Sequence, residues 1–182
     1  MIDALVETMA LKALRRAGWV RAGVTAPESV AAHSWGVAWL VLVLLPRELN
    51  RERALTYALL HDLPEVRTGD ITPHDGVSPE AKALAEAQAM RDILAALPRA
   101  EELSALWTAY ELQDDEEARF VRQLDRLDMA VQALCYADAD RSEFLASAAR
   151  VIDHPALVPV FDAIVVRHHA LHGSPDARTR TS

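Results

Sequence analysis

Apolar residues in this chain recur at spacings of three and four almost without interruption, and that periodicity decides the fold class. One face of a helix repeats every 3.6 residues, whereas a strand repeats every two. Strand-like alternation is missing from the sequence, and only 6 glycines and 9 prolines punctuate its 182 residues. The expectation is an all-α fold, a single-domain bundle of about eight helices. A chain of this length can remove roughly 70% of its unfolded surface from water, so its core needs no covalent staple. The lone cysteine, Cys135, could not form one within the chain.

The pattern predicts a first helix over residues 2–16, with Ile2, Leu5, Val6, Met9 and Ala13 on one face and Gly18 as its stop. A second starts near Pro27 to Ser29, runs to Leu45 and is apolar nearly all round, as expected of a central helix. Its longest apolar run, Trp35 to Leu45, is far short of the roughly 20 residues that span a bilayer. Asn50 is the N-cap of a third helix that arrives at His61 and Asp62 before Pro64 interrupts it, and residues 62–77 read as irregular. Ser78 and Pro79 open a fourth helix that ends at Pro98, and a fifth covers 99–112. Asp114 and Glu117 stand in capping-box spacing before a sixth, with Phe120, Leu124, Leu127, Val131 and Leu134 on its apolar face. Two more, near 141–152 and 156–171, complete the bundle. Residues 1–172 form the domain, and 173–182 are a frayed tail.

Charge narrows the function. With 27 acidic and 19 basic residues the net charge is −8, and no Lys/Arg block breaks it. Nucleic acid is held mainly through phosphate contacts, so that partner is disfavoured. Acids precede bases in MIDALVETMALKALRR, the reverse of a secretion signal. A cytoplasmic protein without a membrane partner is the expectation, and one free thiol suits that compartment.

Polar residues in apolar settings carry the chemistry, because burying them costs free energy unless something compensates. His33 interrupts the second helix, His61 and Asp62 end the third, and Asp125 lies within the sixth. Taken singly, each has a plain reading as a hydrogen-bonded core histidine or a solvated acid. Together, two imidazoles and two carboxylates suit a divalent cation with positions left for water. Manganese, cobalt or magnesium fit best, and nickel, iron or zinc also accept such ligands. His168, His169 and His172 read as an exposed helical end, and Cys135 as a small core residue.

His33, His61-Asp62 and Asp125 resemble the H…HD…D signature of the HD-domain metal-dependent phosphohydrolases. The stretches PESVAAHS (27–34), HDLPEVRTGDITP (61–73) and FVRQLDRLDMAVQA (120–133) are similar to blocks of the HD-domain 5′-deoxynucleotidases, over about Leu11 to Val160. The resemblance implies an all-helical HD fold that releases phosphate from nucleoside 5′-monophosphates. It makes His33, His61, Asp62 and Asp125 the ligands of one divalent ion, and Glu65 and Asp70 catalytic. Pro64 breaks the helix, so Glu65 begins a new turn that points back at the metal. Asp70 contacts the sugar or, with Glu65 and the Ile71 carbonyl, makes a second, weaker cation site. Trp19 matches a tryptophan that shapes the sugar pocket. Some members have a phosphate-clamping arginine just before it; Gly18 stands there in this chain, and Arg16 or Arg21 is the substitute. Family members commonly form homodimers. The competing readings are an HD phosphohydrolase for another phosphoester, such as a cyclic nucleotide, and a catalytically silent helical module clipped by metal.

Overall fold

Local capping chemistry sets where most helices begin, and in the computed structural model, which describes residues 1–136 and 141–172, the regular backbone is helical. In chain order the helices are α1 (Ile2–Thr8), a 3₁₀ turn (Met9–Lys12), α2 (Ala17–Arg21), α3 (Val30–Leu44), α4 (Arg51–Leu60), α5 (Glu65–Thr68), α6 (Pro79–Leu94), α7 (Ala100–Leu112), α8 (Glu116–Cys135), α9 (Ser142–Ala149) and α10 (Val158–His172). The chain forms two units, Met1–Val121 and the part from Arg122 onward, and α8 begins in the first and ends in the second. The expected tail, 173–182, lies outside the described residues.

The expected caps Asn50 and Ser78 are in place, and Ser29, at the expected start of the second helix, is a third. Ser29, Asn50 and Ser78 accept from the amides of Ala32, Arg53 and Ala81 at 3.2, 3.0 and 3.2 Å. The fourth moves by one residue, since Asp115 rather than Asp114 accepts from the Ala118 amide, at 2.8 Å. Asp115 also receives the hydroxyl of the fully buried Tyr57 at 2.6 Å and the Arg53 guanidinium at 2.9 Å, which joins the start of α8 to α4. Glu117 accepts from the Asn50 amide at 2.7 Å instead of closing a capping box.

The first helix differs most from expectation. It ends at Thr8 and tightens into the 3₁₀ turn, which changes the phase of the face. Ala4 and Leu11 are buried, while Ile2, Leu5, Val6 and Met9 stay exposed. Past that turn the backbone pairs with a distant segment: Arg16 N–H donates to the Glu28 carbonyl at 3.0 Å and Val30 N–H to the Leu14 carbonyl at 2.8 Å, around an isolated bridge between Arg15 and Ser29. Gly18 is therefore inside α2 rather than a stop.

Helix α3 packs on α4 and buries Val30, Val37 and Val41 completely. It is not sealed all round. Trp35, Trp39, Leu42 and Val43 form an exposed apolar stripe, with the two indoles stacked at 6.5 Å between centroids. Helices α6 and α7 close the core behind the end of α4 through Met90, Leu94 and Trp107, against which Leu60, Leu63 and Leu103 pack.

In the second unit α8 buries Leu124, Leu127, Ala130 and Ala133, while Val131 and Cys135 are exposed, contrary to expectation. Small alanines at the helical period occupy that face, where bulk alone had pointed to Val131. His168 is also misjudged by position in the chain, being 1% exposed and accepting the Arg141 amide at 3.3 Å.

Candidate metal centre and active site

Ser29 starts α3 so that His33 falls one turn in, on the buried side, where it is 1% exposed. At the other wall α4 ends at His61, whose Nδ1 lies 2.9 Å from the Ala58 carbonyl. A carbonyl only accepts, so Nδ1 is the donor here and Nε2 faces the other wall. The Trp107 indole donates to the His61 carbonyl at 3.2 Å, which ties this corner to α7. His61 Nε2 is held 3.4 Å from His33 Nε2, and Asp62 Oδ2 lies 3.2 Å from the first nitrogen and 3.7 Å from the second. Neighbouring donors around one divalent ion at bond lengths near 2.1 Å are about 3 Å apart, so this set fits a cation with little movement. The His61 proton on the outward nitrogen, tied to a backbone carbonyl, is the usual support for a metal-ligating imidazole.

Burial alone would raise the Asp62 carboxyl, but His61, Arg16 and His33 outweigh it and hold Asp62 well below the ordinary carboxylate range. Arg16 reaches Asp62 at 3.3 Å and Asp70 at 3.4 Å, placed there by the 14–16 to 28–30 backbone pairing. The other oxygen of Asp70 accepts the Ala17 amide at 2.8 Å and so caps α2 from a different segment. Asp70 can turn that way because Gly69 adopts φ 75° and ψ 166°, a conformation essentially closed to side-chain-bearing residues.

Glu65 is the first residue of α5, a four-residue helix inside the stretch read as irregular. It is 2% exposed, and its Oε2 is buried with no hydrogen-bond partner among the described residues. Burial, with Asp62 and Asp70 nearby, pushes its pKa up to about 10, so the carboxyl holds a proton at neutral pH. Arg67, two positions on, is not its partner, because Arg67 binds Glu7 and Asp92.

The remaining expected residues divide. Trp19 is buried, with its indole N–H on Glu28 Oε1 at 2.9 Å, and Arg21 is exposed at the end of α2. The Ile71 carbonyl accepts from Lys82 Nζ at 3.2 Å, and Lys82 in turn pairs with Glu86 at 3.5 Å. Neither Lys82 nor Glu86 was singled out from the sequence, though an i,i+4 pair whose acid lies on the buried face of α6 was a readable signal. Asp125 belongs to the second unit, where it is buried on α8 with its carboxylate 3.7 Å from the Arg126 guanidinium.

The sequence profile of the family described as HD domain matches residues 8–156. This chain belongs to the HD domain family. The HD domain here is 37% identical over 167 residues to the mouse (Mus musculus) protein named 5′-deoxynucleotidase HDDC2, covering 88% of this chain and 84% of that one. The Homo sapiens protein of the same name is 39% identical over 155 residues, covering 81% and 76%. Among solved structures, the PH0347 protein of Pyrococcus horikoshii OT3 superposes on this HD domain with a TM-score of 0.78 at 30% identity, covering 92% of this chain and 99% of that one. The all-helical expectation and the family resemblance both hold. Among the described residues, no helix is long and apolar enough to cross a membrane.

Proposed function

We propose that this HD domain is a metal-dependent phosphomonoesterase that releases phosphate from (deoxy)ribonucleoside 5′-monophosphates. The observation that carries the reading is the convergence of His33 Nε2, His61 Nε2 and an Asp62 oxygen beside the buried, proton-holding Glu65. The 5′-deoxynucleotidase name of relatives that match most of the chain supports the substrate class.

His33, His61 and Asp62 would hold one divalent ion, of which manganese, cobalt and magnesium suit the nitrogen and oxygen set best. Such an ion supplies an activated water and neutralises charge on the phosphoryl oxygens. Arg16, kept near by Asp62 and Asp70, offers the planar cation that pairs with phosphate oxygens. Glu65 gives its proton to the 5′-oxygen as the P–O bond breaks and regains one from the attacking water, so water and monoester become nucleoside and inorganic phosphate. Asp70 faces the sugar, and Trp19 backs the wall. Glu65, Asp70 and the Ile71 carbonyl would hold a second ion only weakly, because Arg16 and Lys82 already occupy Asp70 and that carbonyl.

The test is phosphate release from a panel of deoxy- and ribonucleoside 5′-monophosphates, cyclic nucleotides and triphosphates, using chelator-stripped protein with manganese, cobalt or magnesium restored. Turnover that returns with metal on the monophosphates and is absent in His61→Ala supports the reading. Turnover on another phosphoester alone, or none despite metal binding, sinks it.

A homodimer in a reducing cytoplasm completes the proposal. The exposed Trp35, Trp39, Leu42 and Val43 stripe supports the first and the single thiol of Cys135 the second. Sedimentation of the wild type against Trp39→Glu checks the dimer.

A further inference from the structure

Lys82 stands on α6, an element that none of the proposed site residues occupies. Its ammonium has three protons on a tetrahedral centre. One goes to the Ile71 carbonyl at 3.2 Å and one faces Glu86 Oε1 at 3.5 Å, and the third finds no acceptor among the described residues. Ile71 directly follows Asp70, so the lysine is fastened to the loop that carries a site acid. Glu86 is buried, which makes the pair a fixed feature rather than a mobile surface contact. Burial alone would lower the Lys82 ammonium, but neighbouring carboxylates, Glu86 foremost, raise it, so its charge is retained. Asp70 is also held by Arg16 at 3.4 Å, so the ammonium and the guanidinium are fastened to adjacent residues of one loop.

We propose that Lys82 is a phosphate-binding residue, its third N–H donating to a substrate phosphate oxygen while Ile71 and Glu86 hold the ammonium in place. Arg16 and Lys82 then contact the phosphate from two separate elements, one as a planar fork and the other as a point charge. This rests on the proposed phosphomonoester substrate. It also accounts for how an acidic chain accommodates a dianion, since each cation is already set against a carboxylate, Arg16 against Asp62 and Asp70 and Lys82 against Glu86.

The experiment uses the full chain loaded with manganese. Calorimetric binding of inorganic phosphate and of a nucleoside lacking phosphate is measured for wild type, Lys82→Met and Lys82→Arg, with kcat and KM on a nucleoside 5′-monophosphate alongside. Loss of one charge-assisted hydrogen bond in Lys82→Met is expected to weaken phosphate binding about ten- to a hundredfold and to raise KM in step. Nucleoside affinity stays unchanged, and Lys82→Arg recovers most of the loss. Lys82→Gln gives a second truncation if the methionine variant does not fold, with the same expectation. Unchanged phosphate affinity overturns the proposal, as does an equal loss for phosphate and nucleoside, which would make Lys82 only a brace for the loop. Wild-type protein that binds phosphate through Lys82 yet cleaves no monophosphate overturns the proposed function and leaves the role of Lys82 standing.

Discussion

Glu65 and Asp62 are carboxylic acids three positions apart, and their surroundings push them in opposite directions. Asp62 has two imidazoles and Arg16 beside it and stays ionised, while Glu65 sits among carboxylates with an unpartnered oxygen and stays protonated. Separated affinities of this kind assign the roles of ligand and acid. Glu65→Gln should therefore lose about 10²- to 10⁴-fold in turnover with manganese affinity unchanged, as read by calorimetry beside phosphate release. Asp62→Asn should instead abolish manganese binding, because one anionic donor of the set is gone. If the two variants lost metal equally, Glu65 would be a ligand and not the acid. The order His33, His61-Asp62 was readable from the chain because a histidine in an apolar helix is conspicuous. The opposed protonation of the two acids was not, since it arises from Asp70 and Arg16, which the fold brings in from other segments.

At the scale of elements, the shift of the α8 cap from Asp114 to Asp115 can be tested. Asp115→Ala removes the cap and leaves the buried Tyr57 hydroxyl unpaired, together about 2–4 kcal/mol. Asp114→Ala should change stability by only a few tenths of a kcal/mol, and equal losses in urea titrations would put the cap back where the sequence pattern set it. Gly69→Ala should cost about 1–3 kcal/mol for the backbone conformation alone, since the space around its Cβ is open. Most helix starts were legible because a cap is a local interaction between a side chain and an amide three residues on. The break after Thr8 was not, because the amide of Arg16 and the carbonyl of Leu14 find partners 12 to 16 residues away, and no local pattern encodes that pairing.

For the whole molecule, metal and proton both act as ligands of the folded state. Manganese at about a hundred times its dissociation constant adds about 2.7 kcal/mol, or roughly 5–10 °C in Tm for a chain of this size, and Asp62→Asn should show none of it. Without metal, the raised Glu65 and Glu86 groups make stability depend on pH. Each contributes stability that is fully present below its ordinary value of 4.5 and is lost as pH rises, through about 6 for Glu86 and about 10 for Glu65. The urea midpoint of chelated protein should therefore fall between pH 5 and 9, and Glu65→Gln should flatten most of that fall; a rising midpoint would contradict the burial of these acids. The double use of Asp70 extends this coupling to the backbone. Its carboxylate caps the start of α2 by holding the Ala17 amide, so anything that draws charge from Asp70 changes the shielding of that one proton. The Ala17 resonance in a nitrogen–proton correlation spectrum of nitrogen-15-enriched protein is thus a native indicator of occupancy, readable without chromophore or turnover.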